Sequence, residues 1–562
     1  MHCVARALGA AAARADDAVF LPGGSADWNV HSNWSGSVYP DAAGARAVIG
    51  PPSSGDRDVM LRASVTVGSI YFPQGASPGR NRISGDAAAA LAFAHTDDVA
   101  RIEAGGTGDG YVEFELPGGV LLHTNLQLVI TNPHGSEDYG ALRLRQKWSG
   151  AGALIKRGAG MAALTGNDKL FSGPLVIEQG VVACTEPAAP LHAAYVEVQP
   201  GGQMRLVSGG AAPRVYQFGG PVRIAGYGRG AEIPDSANLG KLGALRYDVG
   251  NEPFPQRALI VTSVMCAAGA DVHVGGVSNT LELRGGLAGA HPLVKSGAGV
   301  LELSGPCTEY TGALIVSNGT LAVQANLSAA ASLTVVAGAR VCGTGVVGNT
   351  VIKANAIIDP GTAPGAGLGV LRAGALTMQP GSQYVWEFNS VTSDWIGAAT
   401  LSLPPVRRTV KVRARYTHGT LQDALIATLF TFTGTPPNTN ALYLELTPPT
   451  PLPYTFHLTD TSILVEIVPE PAGGLLMLAA LGLQMCRRGR RQIRRLTTSA
   501  WRGSGLAALV PRARIRLPGP APLHADSLAI PMARTGGATA ALPSCDARTR
   551  PPRPAALPSR RI

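Results

Sequence analysis

Charged and aromatic side chains are scarce in this chain of 562 residues. Asp, Glu, Lys and Arg make up 15% of the residues, and Phe, Trp and Tyr make up 5%. Because Leu, Glu and Lys rarely recur at helical spacing, this composition excludes a fold built from long, salt-bridged helices. The seven cysteines form no Cys-x-x-Cys pair and show no zinc-site spacing. We therefore expect no metal site and no cofactor.

Most of the cysteines are expected to be small buried side chains. Their number is odd, and they are widely separated along the chain. A disulfide among Cys184, Cys266, Cys307 and Cys342 stays open as an alternative, because exported proteins can form disulfides.

Glycine and proline are abundant, with 71 and 42 residues. Between them, segments of about five to eight residues alternate Val, Ile, Leu and Thr with small residues, a pattern typical of short strands joined by tight turns. The composition therefore predicts an all-β protein.

The basic charge of the chain is concentrated at its C-terminal end. The net charge is +10, but residues 487–562 contain 16 Arg and only two Asp, which leaves about −4 on the remainder. A nucleic-acid surface needs basic residues spread over a folded face. We therefore expect no nucleic-acid partner.

A repeat of about thirty residues occurs twice, beginning at Leu154 and at Leu293. The two copies align without a gap and share eleven identical positions, including Lys156 with Lys295. Each copy alternates apolar and polar residues in short strands that glycines separate. We expect corners at Gly158, Gly160, Gly166, Gly173, Gly180, Gly297, Gly299, Gly305, Gly312 and Gly319.

Short strands joined by single corners favour a parallel β-solenoid, in which each coil bonds to the next. An array of β-hairpins would give similar spacing, but its regular two-residue turns are missing. The fold class predicted is all-β: a right-handed parallel β-helix over residues 16–375, then a β-rich region over 376–467. At about 4.8 Å per coil, roughly fifteen coils would make a rod about 70 Å long.

The second copy, with Leu-Val-Lys-Ser-Gly-Ala-Gly-Val-Leu-Glu-Leu-Ser-Gly followed by Tyr-Thr-Gly and Asn-Gly-Thr-Leu, is similar to the autotransporter-associated β-strand repeat. The first copy matches more loosely, since Ala162 and Ala163 stand at strand positions. The resemblance implies a β-helix in a protein of the cell surface.

Residues 468–495 combine three signals in order. Val468, Pro469, Glu470 and Pro471 precede a 14-residue apolar run, Ala472 to Met485, and an Arg cluster that includes Arg487, Arg488, Arg490 and Arg491. Such a run before clustered cations is typical of a segment that stops in a membrane. A run this short is also compatible with a buried core helix.

This order resembles the PEP-CTERM sorting signal of exported bacterial proteins. The resemblance implies an apolar C-terminal helix, transient anchoring in the inner membrane and processing by an exosortase-type enzyme. Residues 1–15 are interpreted as a truncated signal peptide with a cleavage motif at Ala13 and Ala15. Residues 496–562, rich in Arg, Pro and Ala, are predicted to be a disordered tail.

Candidate catalytic groups are sparse. Acidic residues occur in pairs at Asp56 and Asp58, Asp97 and Asp98, and Glu137 and Asp138, while Arg223, Arg229, Arg246, His273 and His291 are isolated. A catalytic groove should place three or more carboxylates or arginines within hydrogen-bond reach on adjacent coils. We therefore predict a non-enzymatic, exported surface or matrix protein that is adhesin-like or structural. The alternative is a β-helical protein that binds or cleaves extracellular polysaccharide.

Overall fold

Alternating side chains build the strands of this protein and direct every second residue inward. In Arg57–Leu61 and Val300–Leu303, for example, buried and half-buried residues alternate along the strand. The computed structural model describes residues 17–468 except for 54, 74–78, 97–98, 106–109, 132–140, 167, 186–190, 208–211, 229–241, 249–254, 363–366, 418–423 and 448–451.

The strands wind into coils with three faces, and each strand pairs in parallel with the strand one coil away. Within the described residues, one sheet of 31 strands covers faces 1 and 2, and sheets of five and ten strands cover successive parts of face 3. The parallel β-solenoid predicted from the sequence is thereby confirmed, and the hairpin array is wrong.

Face 1 is formed by the strands Ala18–Val19, Arg46–Val48, Ser69–Phe72, Ala100–Ala104, Leu126–Ile130, Leu154–Arg157, Leu175–Ile177, Val196–Val198, Val222–Gly226, Leu287–Ala288, Asn326–Leu327, Val346–Val347 and Leu425–Phe432. Face 2 is formed by Ala26–Asp27, Arg57–Leu61, Arg80–Gly85, Tyr111–Glu115, Leu142–Leu144, Met161–Leu164, Gly180–Cys184, Gly202–Leu206, Leu245–Tyr247, Leu293–Ser296, Ala313–Val316, Ser332–Val335 and Thr350–Ile352. Three longer strands cross the corner between these faces: Val264–Val274, Val370–Met378 and Trp395–Ser402.

Face 3 is formed by Val65–Val67, Leu91–Phe93, Val120–Leu122, Trp148–Gly150, Lys169–Phe171, Arg214–Tyr216, Arg257–Ile260, Thr280–Leu283, Val300–Leu303, Thr320–Val323, Arg340–Gly343, Ile357–Pro360, Gln383–Phe388, Val410–Tyr416 and Leu442–Thr447. Short 3₁₀ turns occur at His31–Asn33, Ser35–Ser37 and Thr439–Ala441. Parallel stacking continues past residue 375, since Gln383–Phe388 pairs with Val410–Tyr416.

One apolar core runs inside the three faces. It extends from Phe20 to Ile467 as a single cluster of buried side chains. Because each coil stacks in register on the next, apolar residues form continuous columns, and burying them is the main favourable term in the stability of the fold.

The N-terminal end of the core is closed by aromatic side chains. Trp28 and Trp34 are buried and meet edge to face, with ring centroids 4.7 Å apart. Arg57 lies beneath them, donates to the carbonyl of Pro22 and to Asn81, and stacks over the ring of Phe20. Its charge is thus partnered although the residue is 2% exposed.

The C-terminal end of the described chain changes to antiparallel pairing. Ser462–Ile467 lies between Leu425–Phe432 and Tyr454–Leu458 and pairs antiparallel with both. Val468 closes this segment, because its N–H donates to the carbonyl of Pro453 at 3.0 Å.

Four cysteines fall among the described residues, and all four are free thiols. Cys266, Cys307 and Cys342 are buried and Cys184 is half-buried, and no disulfide joins any two of these four. Burial raises the pKa of Cys184 and of Cys342 to about 12 and that of Cys266 to about 11.

No helix that is long and apolar enough to span a membrane occurs in the part of the chain that the structure describes. The predicted apolar helix at Ala472 to Met485, the predicted tail and the predicted signal peptide lie outside the described residues.

Candidate functional site

The two repeat copies use the same local structure on different faces of the solenoid. In the first copy, Lys156 aligns with Ile177 on the next coil of face 1, and that column continues to Cys266. Lys295 instead belongs to a face 2 column that leads back through Val272 to Ala162. The repeat is therefore a unit that defines a corner, and its two copies are offset by one face.

The lysine shared by the copies points into the core. Lys156 stands between Leu128 and Ile177 in its column, and Lys295 stands between Val272 and Val316. Both lysines have no exposed surface. The four methylenes of each side chain therefore pack in an apolar column, and the ammonium group must find its partners inside the protein.

Backbone carbonyl oxygens supply those partners at the corner. Lys156 Nζ donates to the carbonyls of Arg157 at 2.9 Å, Gly158 at 2.6 Å and Gln179 at 3.1 Å. The first two carbonyls belong to the lysine's own coil and the third to the next coil. One ammonium group thus joins two successive coils.

The second copy repeats this arrangement closely. Lys295 Nζ donates to the carbonyls of Ser296 at 2.8 Å, Gly297 at 2.7 Å and Asn318 at 3.0 Å. We call each set of three carbonyls, with its ammonium group, a lysine corner. Burial lowers the pKa of Lys156 and of Lys295 to about 7, and the carboxylate of Asp271 opposes this effect at Lys295.

The corner glycines allow the carbonyls to converge. Gly158 and Gly297 have φ of +73° and +76°, a backbone conformation that residues with a Cβ rarely adopt. Gly180 and Gly319, one coil later, approach the corner so closely that an added Cβ would lie 2.3 Å from the Gly158 oxygen or 2.4 Å from the Gly297 oxygen.

The other predicted corner glycines also lie at bends or close approaches. Gly166 has φ of +73°, and Gly160 and Gly299 donate their N–H to Ile130 and Val274 of the preceding coil. At Gly173, Gly305 and Gly312, an added Cβ would lie 2.1–2.3 Å from a carbonyl oxygen of the preceding coil.

A third buried lysine, Lys169, also donates to backbone carbonyls at a corner, although it does not align with Lys156 and Lys295 in the repeat. Lys169 lies on face 3 directly beneath Trp148 and is 5% exposed. Its Nζ donates to the carbonyls of Gln146 at 2.6 Å and Thr165 at 2.9 Å. Gln146 has φ of +60°, so this corner obtains a left-handed backbone without glycine.

Beside the second lysine corner lies a small polar cluster on the outer side of face 2. Ser296 Oγ is 2.8 Å and 2.9 Å from the two carboxylate oxygens of Asp271, and 3.0 Å from His273 Nδ1. Burial raises the pKa of Asp271 to about 6 and lowers that of His273 to about 4. The Ser296 hydroxyl donates to the carboxylate of Asp271, and the tautomer of His273 decides whether its Nδ1 donates to or accepts from the same oxygen.

Charges of opposite sign alternate along the outer side of face 2 in the N-terminal coils. We call this set the acid–arginine ladder: Asp58, Arg80, Arg82, Glu113, Glu115 and Arg145. Arg82 contacts Asp58 and Glu115, and Arg80 Nη1 lies 3.0 Å from the Glu113 carboxylate. The hydrogen bond from Arg82 is the largest effect that lowers the pKa of Asp58.

The ladder thus meets the criterion of several carboxylates and arginines in contact on adjacent coils. Its carboxylates, however, are neutralised by arginines, whereas a general acid needs a raised pKa. Next to the ladder is a shallow depression of about 400 Å³ lined by Glu115, Pro117, Arg145, Gln146, Lys147, Gly166 and Asp168.

Of the isolated candidates among the described residues, only Arg246 and His273 are brought together, as cross-strand neighbours on face 2. Arg223 stacks over Tyr195, Arg246 pairs with Asp248, and His291 contributes its carbonyl to Tyr310. In the described ranges, no three His, Cys, Asp or Glu side chains are grouped to hold a metal ion. Asp97, Asp98, Glu137, Asp138 and Arg229 lie outside those ranges.

Comparison with known protein families finds one family model that matches both repeat copies. Residues 154–183 and 293–323 each match the family model Passenger-associated-transport-repeat. These are the two segments that carry the lysine corners. Such repeats point to a β-helical protein that is exported or presented at the cell surface. No curated protein matches the chain.

Sequence reasoning identified the repeated Lys156 and Lys295 but assigned them no role. The signal was present in the strand pattern, because Lys295 lies two residues after Leu293 and therefore points to the same side. A charged residue at an inward position needs an internal partner. The partners turn out to be the carbonyls of the two residues that follow the lysine and one carbonyl of the next coil.

Proposed function

We propose that this protein is an exported, non-enzymatic β-helical component of the cell surface or extracellular matrix, with an adhesin-like or structural role. The observation that carries the proposal is the pair of lysine corners within segments that match a passenger-associated repeat. A continuous core from Phe20 to Ile467 supports a rod that presents long lateral faces.

We further propose that residues 468–495 sort the protein through the inner membrane by way of an exosortase-type enzyme. The support is the order of Val468, Pro469, Glu470 and Pro471, the apolar run and the Arg cluster. Val468, the first residue of this motif, is also the last residue that the structure describes, and its N–H donates to the carbonyl of Pro453.

Fractionation of a doubly tagged protein tests this route. One tag is inserted at Val391, which is 86% exposed, and the other follows Ile562, in a host that contains an exosortase. We expect the internal tag outside the inner membrane and loss of the C-terminal tag. Retention of both tags in the cytosol would refute both export and sorting.

Two matched sets of Arg→Gln changes test whether sorting needs the Arg cluster at this position or only the same amount of positive charge. Replacing Arg487, Arg488, Arg490 and Arg491 by Gln should impair anchoring and removal of the C-terminal tag. The same change at Arg512, Arg514, Arg516 and Arg534 removes equal charge from the tail and should leave processing intact. Equal effects of the two sets would contradict a specific membrane stop.

Polysaccharide binding is the second candidate, favoured by the acid–arginine ladder and its adjoining depression. Open surfaces with charges of both signs suit polar, extended ligands that also carry charge. Retention on columns of acidic polysaccharide should fall when exposed Arg145 and Lys147 are both changed to Met. The matched double change Arg407→Met with Arg408→Met, far along the rod, should not reduce retention.

A further inference from the structure

The lysine corner has the composition of a binding site for a cation. Around Lys156 Nζ and Lys295 Nζ, all the protein partners are carbonyl oxygens, at distances of 2.6–3.1 Å. Three acceptors match the three protons of a primary ammonium group. A neutral amine has two protons and would leave one buried carbonyl facing a lone pair.

The site is made by the backbone and not by neighbouring side chains. The residues that supply the carbonyls differ between copies at two of three positions, Arg157 against Ser296 and Gln179 against Asn318. The Nζ-to-oxygen distances nevertheless agree within about 0.1 Å. Gly158 and Gly297 hold this backbone in a left-handed conformation. The three carbonyls of each lysine corner are therefore positioned by the backbone and do not depend on the neighbouring side chains.

The space that the lysine stem occupies is lined by apolar side chains. The stem of Lys295 passes between Val272 and Val316 of the neighbouring coils, which are fully buried. An occupant therefore needs an unbranched alkyl chain at one end and three N–H donors at the other.

We propose that each repeat copy contains a preformed site for a primary alkylammonium ion, which the protein's own lysine occupies and which ties one coil to the next. Removing the lysine side chain beyond Cβ should leave an empty site of the same chemistry. The n-propylammonium ion has the three carbons and the ammonium group that a Lys→Ala change deletes.

The test is chemical rescue of the full chain carrying Lys295→Ala. Thermal unfolding is followed by circular dichroism with n-propylammonium chloride or with tetramethylammonium chloride at the same ionic strength. We expect the lowered unfolding midpoint of the variant to rise saturably with n-propylammonium only, as binding to the folded state requires. Wild-type protein should show no such selective rise, because its site is filled.

Two controls make the result decisive. Lys353→Ala removes an exposed lysine, so the two salts should affect it equally. If Lys295→Ala does not fold by itself, refolding in n-propylammonium but not in tetramethylammonium is the expected result. Lys156→Ala should behave in the same way. Equal responses to both ions in both corner variants, or no response to either, would overturn the proposal.

Discussion

Replacing Gly319 by Ala tests whether the close approach of successive coils is essential to the repeat. Gly319 has φ of +67°, and its added Cβ would lie 2.4 Å from the Gly297 oxygen and 2.5 Å from the Gly299 oxygen. These are backbone atoms, so the corner must shift. The shift would move the Gly297 carbonyl relative to Lys295 Nζ.

The expected change in the free energy of unfolding is the sum of four contributions. A left-handed backbone costs an alanine about 1–2 kcal/mol, and forcing an atom into a packed site costs about 1–3 kcal/mol more. A weakened hydrogen bond at Lys295 adds roughly 1 kcal/mol. Against this, alanine restricts the unfolded chain and returns about 0.4–1 kcal/mol. We expect Gly319→Ala to lower the free energy of unfolding by about 2–6 kcal/mol, with the midpoints of these contributions summing to about 4 kcal/mol.

Gly338 is the matched control for this change. It has φ of +80°, but nothing lies within 4 Å of its added Cβ. Gly338→Ala should therefore show only the backbone effect, about 0–1.6 kcal/mol after the unfolded-state correction. Urea denaturation followed by circular dichroism measures both variants, with the slope against urea checked for constancy. Losses that agree within about 0.5 kcal/mol would refute the role given to the close approach.

Three further predictions concern buried polar groups. The pKa of Glu282 is lowered to about 2, because hydrogen bonds from Arg284, Ser304 and Arg257 outweigh the opposing effect of burial. The stability that this carboxylate contributes above pH 4.5 should therefore be lost as the pH falls toward 2. Glu282→Gln should flatten that part of the stability profile, and an unchanged acid slope in urea titrations would contradict the assignment. Burial raises the pKa of Asp394 to about 7, so wild-type protein should lose stability as the pH rises from about 4 to 7. Asp394→Asn should remove that slope, and a slope that persists would count against it. Tyr310→Phe leaves the carbonyls of His291 and Ala313 without their hydroxyl donor and should lower the free energy of unfolding by about 1–2 kcal/mol. An unchanged free energy of unfolding in urea would contradict a stabilising role for this hydroxyl.

The sequence predicts those parts of the fold that depend on neighbours along the chain. Alternation in Val300–Leu303 correctly places Leu301 and Leu303 in the core. Tyr310, which precedes the predicted corner at Gly312, is buried, and its hydroxyl lies 3.1 Å from the carbonyl oxygen of His291 and 2.8 Å from that of Ala313. These features follow from strand period and turn chemistry, which are local properties.

Contacts between coils could not be predicted because the number of residues per coil varies. Arg257 contacts both Glu282 and Glu302, which lie on two successive coils. The intervals between these partners depend on turns of unequal length. Because coil length varies, the alignment of the two repeat copies does not reveal that they lie on different faces. For the same reason, the sequence does not reveal that Arg82 contacts both Asp58 and Glu115.

The buried thiols have a chemical consequence for a chain that meets oxidants. Thiol–disulfide exchange and oxidation to sulfenic acid proceed through the thiolate. With pKa values near 11 to 12 for Cys184, Cys266 and Cys342, almost none of that anion exists at neutral pH. We therefore expect these three thiols to resist disulfide exchange in an oxidising compartment, and the described coils hold together without a disulfide among Cys184, Cys266, Cys307 and Cys342.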